Sequence, residues 1–307
     1  MKVTKRRKYP EIMDSVGIHT LSGFVPEEIT EIESAVQGTV KSCSRKKERG
    51  KDSYRTYLQL NPNKIEGKQQ IVTRFSNFQE ILSLILNGCG SDLERFTYNR
   101  ADLCFDSSFE SAFEDYKKLH RLLICCVSDA YSVKNCYHTE HLWELQDLSL
   151  AIKNDRFEME NYDKQVESSG SSESRNRLEL RAKRINQQSL QHEFELWCTR
   201  LDKAAKHYEN VQHRYNDVLE RLYKQDRSKP KKYRVYRTLT DFLLRYQECI
   251  FCRSQLVDLL SRFDEVKNPE SRADNFKKKH HIEYFSERDL KFIVNVIKRK
   301  IRQYFRS

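Results

Sequence analysis

Apolar and polar residues alternate in several short stretches of the chain, which is the pattern of strands that turn one face toward a core. The clearest stretch is residues 100–106, in which Leu103 and Phe105 share one face while Asp102 and Asp106 share the other. The predicted strands cover residues 18–25, 54–60, 96–106, 142–152, 157–162 and 176–183. These stretches predict a sheet with one apolar face and one polar face.

Apolar residues recur at helical spacing in other stretches, and this pattern dominates after residue 187. Predicted helices cover residues 75–86, 109–127, 188–224, 238–263 and 290–304, and residues 267–283 are expected to be a polar, basic connection. The order of the elements predicts an α+β fold, with helices packed on one face of an N-terminal antiparallel sheet and a largely helical C-terminal region. The expected domains are an α/β unit at 1–185 and a helical unit at 186–307.

The composition agrees with long helices and excludes several classes of protein. Only 8 of the 307 residues are Gly and 5 are Pro, which disfavours a fold with many tight hairpins. No apolar stretch is long enough to span a membrane, and the phosphate-binding loops of nucleotide-dependent enzymes are missing from the sequence. Nine scattered cysteines, an odd number, favour reduced thiols and therefore a cytoplasmic protein without a membrane partner.

Polar residues on three of the predicted strands have the chemistry of a phosphodiester-cleaving site. If strands 100–106, 156–164 and 176–183 are neighbours, one face carries Asp102, Asp106, Glu179, Tyr162 and Lys164. Oxygen ligands such as these carboxylates suit Mg²⁺ or Mn²⁺. A tyrosine can attack phosphorus, and a nearby lysine can stabilise the developing charge. The competing interpretation is that these side chains form an ordinary solvated face of a sheet.

The excess positive charge indicates a nucleic-acid partner. The net charge is +11, and most of it lies in segments 41–55, expected to be a loop or strand edge, and 224–237. Clustered Lys and Arg bind phosphates, and interleaved tyrosines can stack on unpaired bases. The predicted DNA-binding residues are Arg45, Lys46, Lys47, Lys229, Lys231, Lys232, Arg234, Arg237, Tyr233 and Tyr236. A solvated charged surface remains the alternative for either segment alone.

Three motifs in order resemble rolling-circle replication initiators of the Rep-trans type, which occur on plasmids, phages and integrative elements of Gram-positive bacteria. Arg100-Ala-Asp-Leu-Cys-Phe-Asp106 is similar to their R-x-D-x-x-x-D strand. About 55 residues later, Tyr162-Asp163-Lys164 resembles their Tyr-Asn-Lys element, with Asp163 in place of the commoner Asn. Arg177-Leu-Glu-Leu-Arg181 then resembles their R-[LV]-E-[IL]-[RQ] strand. The resemblance covers residues 96–184.

The resemblance implies an endonuclease and strand transferase that acts at a replication origin. The tyrosine at position 162 would attack one strand, remain linked to the 5′ phosphate and leave a free 3′ hydroxyl for a polymerase. Asp102, Asp106 and Glu179 would bind Mg²⁺ or Mn²⁺. The expected partners are double- and single-stranded DNA, a host helicase and a second copy of the chain. A non-catalytic DNA-binding regulator of a plasmid or mobile element is the main alternative, and a helical scaffold for protein partners is a weaker one.

Overall fold

A single antiparallel sheet of seven strands forms the centre of the fold in the computed structural model, which describes residues 13, 15–47, 53–67, 71–107, 112–133, 149–170, 176–185 and 189–307. The strands are β1 (Ser15–Val25), β2 (Val40–Lys47), β3 (Tyr54–Leu60), β4 (Thr97–Ser107), β5 (Ser149–Lys153), β6 (Phe157–Tyr162) and β7 (Asn176–Lys183). Their order in the sheet is β2-β3-β1-β4-β7-β6-β5. The predicted strands are therefore confirmed, although β5 begins only at Ser149 and the part of its prediction at 142–148 lies outside the described residues.

Helices make up most of the chain after β7, so the predicted α+β fold is confirmed. The helices are α1 (Phe75–Asn87), α2 (Ala112–Ala130), α3 (Lys164–Glu167), α4 (Leu190–Ala205), α5 (Tyr208–Ser228), α6 (Leu239–Arg245), α7 (Arg253–Ser261), α8 (Pro269–His280) and α9 (Glu287–Arg306). The pattern at 188–224 corresponds to two helices, α4 and α5, and the pattern at 238–263 corresponds to α6 and α7.

Helix α8 lies where a polar connection was expected, so that prediction is wrong. The helix begins after Asn268, whose side chain accepts a hydrogen bond from the backbone N–H of Ser271, and Pro269 occupies the first turn. Both are typical of a helix start. Only Ala273 and Phe276 are buried along the helix, so its apolar positions are too few to give a clear helical period.

The described residues group into two compact units, each made of separate chain segments. Unit 1 contains the described residues of Met1–Phe113, Lys153–Thr199 and Asn295–Ser307, and unit 2 contains those of Glu114–Ile152 and Arg200–Val294. The expected boundary at residue 185 lies inside the middle segment of unit 1. The end of the chain returns to unit 1, which a division into consecutive domains does not anticipate.

The core of unit 1 lies on the apolar face of the sheet. Strand residues Leu103, Phe105, Leu178 and Leu180 are fully buried there, and each contributes on the order of 1.5–3 kcal/mol by leaving water. Aromatic side chains from the helices cover this core. The contacts are Trp197 with Phe157 at 5.2 Å, Phe75 with Phe305 at 4.7 Å and Phe194 with Phe305 at 5.7 Å between ring centroids. With this face filled by apolar side chains, the alternating polar residues point to the other face.

A short irregular segment approaches the polar face of the sheet at Gly17. A Cβ atom at Gly17 would lie 2.3 Å from the backbone oxygen of Val72, so only glycine permits this approach. Asn63 fixes the segment, because its side chain donates to the Ile18 carbonyl at 3.0 Å and accepts from the Val72 N–H at 2.8 Å. Gly17 pairs with Cys104 in β4, so the segment lies above the middle of the polar face.

The core of unit 2 is helical and rich in aromatic side chains. Tyr223 of α5 packs against Phe242 at 5.0 Å and Phe263 at 4.5 Å, and Tyr215 packs against Phe251 at 5.6 Å. Edge-to-face and tilted contacts at these distances are favourable for aromatic pairs. They fix the end of α5 against the segments that follow it.

Candidate active site

Three adjacent strands, β4, β7 and β6, bring the predicted acidic residues and the predicted nucleophile onto one face. Asp106 and Tyr162 are both register partners of Arg177, and Glu179 lies two residues further along β7. The exposed fractions are 2% for Asp102, 7% for Asp106, 1% for Glu179 and 7% for Tyr162. The four side chains therefore form a buried polar cluster, and their catalytic roles stay predictions.

The tyrosine and the glutamate of this cluster are hydrogen-bonded to each other. The Tyr162 hydroxyl donates to Oε1 of Glu179 at 2.9 Å, and Nη1 of Arg177 lies 3.7 Å from the same oxygen. Burial, together with the charge of Glu179, raises the pKa of Tyr162 above its ordinary value, so the resting phenol is protonated. Burial alone would also raise the pKa of Glu179, but Arg181 and Arg177 outweigh it and lower that pKa, so the acceptor is a carboxylate.

The two aspartates of β4 are each held by one arginine in a forked pair. Arg177 donates to Asp106 through Nε at 2.6 Å and Nη2 at 2.5 Å. Arg100 donates to Asp102 in the same way, at 2.8 and 2.6 Å. Two parallel charge-assisted hydrogen bonds fix both the position and the plane of each carboxylate. Burial nevertheless raises the pKa of both aspartates above the ordinary range, despite the opposing arginines.

Arg181 connects most of the remaining carboxylates on this face. Its guanidinium donates to Oε2 of Glu179 through Nε at 3.0 Å and Nη2 at 2.5 Å, and it pairs with Glu160 at 2.6 Å and with Glu158. Nε also lies 3.5 Å from Asp102. The glutamates of β6 would repel a phosphate if they were unpaired, and Arg181, together with Lys183 beside Glu158, offsets part of that charge.

A cavity of about 390 Å³ opens beside the cluster. Its polar lining includes His19, Lys41, Asn63, Lys64, Lys164, Arg177 and one acidic residue, Glu167. Lys164 is paired with Glu167 and Arg177 with Asp106, so Lys41 and Lys64 supply the excess positive charge of the lining. This excess favours an anion, and a single phosphate group is well within the size of such a cavity. Arg177 belongs to both the cavity and the cluster, so it connects this space to Tyr162.

His19 reaches this cavity because β1 is irregular at that position. The register with β4 shifts between Ile18 and Thr20, and such a bulge redirects a side chain that simple alternation would place on the opposite face. Nδ1 of His19 lies 3.7 Å from Oε1 of Glu179. Burial and the charge of Arg177 lower the pKa of His19 to about 3, so the imidazole is neutral.

Lys41 and Lys64 were missed as candidate site residues by the sequence reasoning. Lys41 lies on the edge strand β2 and donates to the Thr20 hydroxyl at 3.3 Å. Desolvation and the nearby charge of Lys64 lower its pKa, which is the expected effect when like charges share a site. The basic segment 41–55 marked this region as cationic, but the sequence gives no signal that Lys41 and Lys64 meet at one cavity.

Lys164 is not on the strand that carries Tyr162, contrary to the expectation. Strand β6 ends at Tyr162, and the Asp163 carboxylate then accepts hydrogen bonds from the N–H groups of Gln165 and Val166. This cap begins the short helix α3, so the chain turns away from the sheet. Nζ of Lys164 lies 5.7 Å from the Tyr162 ring centroid and forms an ion pair with Glu167.

Arginine side chains hold the carboxylates that were predicted to bind a divalent cation. Among the described residues, no group of three or more His, Cys, Asp or Glu side chains is placed to bind one. Asp102 and Asp106 are four residues apart on one strand, about 13 Å in an extended chain, and arginines occupy Asp102, Asp106 and Glu179. A cation would have to displace these arginines, so the predicted Mg²⁺ or Mn²⁺ site stays a prediction.

The predicted DNA-binding residues of β2 lie on the exposed edge of the sheet. Arg45, Lys46 and Lys47 are exposed. Arg45 forms an ion pair with Glu28 at 2.7 Å and lies 4.3 Å from the Tyr54 ring centroid. The segment forms an edge strand to Lys47 with an irregularity at Lys41, between Val40 and Ser42, and residues 48–52 lie outside the described part of the chain.

The second predicted DNA-binding segment covers the end of α5 and the loop that follows it, which contains a short 3-10 turn at Lys231–Tyr233. Lys229, Lys231, Lys232 and Arg237 are exposed, Arg234 is half-buried, and Tyr233 is 63% exposed. Tyr236 differs from Tyr233, because its ring packs against Phe242 at 5.2 Å and its hydroxyl donates to Tyr246 at 3.0 Å. Its ring is therefore less accessible to a base than that of Tyr233.

Comparison of the chain with known proteins identifies no relative. No protein family, curated protein or solved structure is matched by the chain. Within the part of the chain that the structure describes, no helix combines the length and the apolar character needed to cross a membrane. The residues of the polar face and the cavity beside it are therefore the basis for inferring a function.

Proposed function

We propose that this protein is a DNA endonuclease and strand transferase that uses Tyr162 as its nucleophile to initiate rolling-circle replication. The hydrogen bond from the Tyr162 hydroxyl to the Glu179 carboxylate, at 2.9 Å, carries the proposal. A nucleophile and a base within hydrogen-bonding reach, with the base held by a third group, are the minimal parts of such a site. Arg181 is that third group, since it holds the second oxygen of Glu179. The resemblance of the three motifs to Rep-trans initiators supports the same conclusion.

In the proposed reaction, Glu179 takes the proton of Tyr162 as the phenolic oxygen attacks the phosphorus. The new bond joins this oxygen to phosphorus, and the bond from phosphorus to the 3′ oxygen breaks. The 3′ oxygen then gains a proton from water, which leaves a 3′ hydroxyl and a 5′-phosphotyrosyl link. A proton acceptor is needed because the pKa of Tyr162 is raised by burial and by Glu179, so the phenolate does not form unaided.

The cavity beside the cluster supplies the charge that such a reaction needs. Lys41, Lys64, Lys164 and Arg177 line it, against the single carboxylate of Glu167. Cations fixed before the reaction stabilise the negative charge that develops on the phosphate oxygens. Tyr162 is only 7% exposed, so the side chains that cover it must move before a DNA strand reaches the phenolic oxygen. No step of this proposal passes through a metal ion.

The direct test is formation of a covalent protein–DNA adduct. Purified protein is incubated with supercoiled DNA that carries its gene and flanking sequence, in Mg²⁺, in Mn²⁺ or in EDTA, and is run on a denaturing gel. We expect nicked DNA and an adduct for the natural chain and neither for Tyr162→Phe. Tyr98→Phe is the matched control because Tyr98 lies on β4 of the same sheet but outside the cluster. An adduct that persists in Tyr162→Phe refutes the proposed nucleophile.

A DNA-binding regulator without nuclease activity is the second candidate. The observation that favours it is that Asp102, Asp106 and Glu179 are all paired with arginines in the resting protein. A face whose charges are mutually satisfied can be purely structural. Salt-sensitive binding to DNA without nicking under any divalent cation would favour this candidate over the nuclease.

A further inference from the structure

Unit 2 contains a second cationic cavity, which is larger than the one beside Tyr162. It has a volume of about 760 Å³ and lies between the loop after α5 and the start of α8. Its basic lining residues are Arg227, Arg234, Arg237, Lys267 and Arg272. Lys267 and Arg272 are distant in sequence from the basic segment 224–237, so only the fold brings the five together. We name this set the arginine groove.

The basic side chains of the arginine groove outnumber its acidic ones by five to one. Among the described residues, none of the five basic side chains forms an ion pair with an Asp or Glu. The lining includes one acidic residue, Glu265, and its carboxylate already accepts a hydrogen bond from Tyr223. Elsewhere in unit 2, Arg262 and Arg253 are paired with carboxylates. With one carboxylate among five cations, the groove keeps an excess of positive charge that attracts an anion.

The groove is built by contacts that fix the loop after α5. The buried carboxylate of Asp226 accepts from the N–H groups of Val235 at 2.9 Å and Tyr236 at 3.3 Å, which folds the loop back on the helix end. Arg234 donates to the carbonyls of Lys229 at 3.0 Å and Arg227 at 2.9 Å. The loop and the Arg234 side chain are therefore held in place before a ligand arrives, which lowers the entropy cost of binding.

An exposed aromatic ring lies next to the groove in sequence. Tyr233 directly precedes Arg234 and is 63% exposed, with Nζ of Lys232 at 4.6 Å from its ring centroid. Arginines suit phosphate because the planar guanidinium donates two parallel hydrogen bonds. An exposed tyrosine suits the flat face of an unpaired base. Phosphate and base alternate in this way along a single strand of nucleic acid.

We propose that the arginine groove binds the phosphate backbone of single-stranded DNA, with a base stacked on Tyr233. This inference rests on the proposed function for its partner, DNA, but not on Tyr162 or Glu179. In an initiator, the groove would hold the strand that is displaced or exposed near the nick. A duplex is disfavoured as the ligand because its bases are already stacked and are not free to cover Tyr233.

The test measures binding of a fluorescent 20-mer of thymidine by anisotropy in EDTA, with Tyr162→Phe as the background so that no cleavage occurs. We expect Arg237→Glu/Arg272→Glu to weaken binding at least about 10-fold. The slope of log K against log salt is about −0.7 per phosphate contact on a single strand, so the loss of two contacts should make the slope less steep by about 1.4. The matched control is Lys206→Glu/Arg288→Glu, which changes the charge equally at exposed positions outside the groove.

Tyrosine variants test the stacking separately from the charge. Tyr233→Ala should weaken binding by about 5- to 150-fold, the range for one stacked base, while Tyr233→Phe keeps the ring and should bind almost normally. Equal weakening by the groove variant and by its control would overturn the inference, because net charge would then explain binding. Displacement of the 20-mer by polyglutamate as readily as by unlabelled DNA would also overturn it, since the groove would then be a general anion site.

The outcomes also separate this inference from the proposed function. If Tyr162 forms an adduct and Arg237→Glu/Arg272→Glu binds single strands normally, the nuclease proposal is supported and the groove proposal is refuted. If this variant loses single-strand binding and the natural chain forms no adduct, the groove proposal is supported and the nuclease proposal is refuted.

Discussion

The buried pair of Arg177 and Asp106 predicts a large and specific loss of stability when either partner is removed. Arg177 is 4% exposed and Asp106 is 7% exposed. Their forked pair has donor–acceptor distances of 2.6 and 2.5 Å. Arg177→Met would leave the aspartate buried without its charged partner, and breaking a buried pair in this way costs about 3–5 kcal/mol.

The size of this effect comes from the unpaired charge, so it should disappear largely when both charges are removed. Arg177→Met/Asp106→Leu should be less destabilised than either single variant, because a buried pair replaced by apolar side chains is often close to neutral. Arg253 and Asp274 form the matched control, with a forked pair of 2.7 and 3.0 Å at the surface. The corresponding Arg253→Met should cost far less, since water solvates the remaining carboxylate.

The assay is urea unfolding followed by circular dichroism and by tryptophan fluorescence, with both probes required to give the same transition. We expect the Arg177→Met curve to shift to lower urea and the double variant to recover much of the shift. Two results would refute the reasoning. One is a loss below about 1 kcal/mol for Arg177→Met, and the other is a double variant whose cost equals the sum of the single variants.

The remaining predictions concern the site and its pH dependence. Glu179→Gln should lower the nicking rate by about 10²- to 10⁴-fold by removing the proposed base. Duplex binding should stay largely intact, and equal loss of binding would make this carboxylate structural. Lys41→Ala/Lys64→Ala should weaken binding of the nicked strand in a salt-dependent way, and an unchanged salt slope would contradict the role of the cavity. The pKa of His19 is lowered to about 3 in the folded protein. Between about pH 6.5 and pH 3, the imidazole of the unfolded chain therefore binds a proton that the folded protein does not bind. The contribution of His19 to stability should fall as the pH falls through this range. Urea unfolding at pH 5 and pH 7 should show a smaller pH effect for His19→Gln, and an equal effect would place the imidazole outside the buried cluster.

The sheet was predictable because each strand near the site has one apolar and one polar face. Leu103 and Phe105 alternate with Asp102 and Asp106, and a side-chain period of two leaves little freedom once one face is buried. The same argument places Glu179 opposite the core. The sequence order of the motifs does not give the order of strands in the sheet. The predicted site requires that the three strands carrying its residues be neighbours, and β4, β7 and β6 are adjacent in the sheet.

The partners of the charged residues could not be predicted from the pattern. Arg181 lies on the same face as Glu179, but its pairing with Glu158 and Glu160 depends on the register of β6 against β7. His19 was missed because a bulge interrupts the alternation of β1. Lys164 was placed wrongly because the cap at Asp163 ends the strand. Each error arises where a local irregularity or a long-range pairing replaces simple periodicity.

In the helical half, too, periodicity does not predict which surfaces pack together. Helix α9 has a clear apolar period, yet its last residues belong to unit 1 while its first belong to unit 2. An amphipathic pattern states that one helix face is buried, but it does not name the surface that buries it. The division of the chain into units therefore required the tertiary structure.

Mapping of the covalent link by mass spectrometry tests the central claim most directly. After reaction with gene-flanking DNA, the protein is digested with a nuclease and with trypsin, which cleaves after Arg156 and Lys164 and so releases residues 157–164 with Tyr162 as the single tyrosine. The proposed function predicts that this peptide carries a nucleotide through a 5′ phosphate on Tyr162. A nucleotide attached to any other residue, or an unmodified peptide from protein that has nicked the DNA, would contradict it.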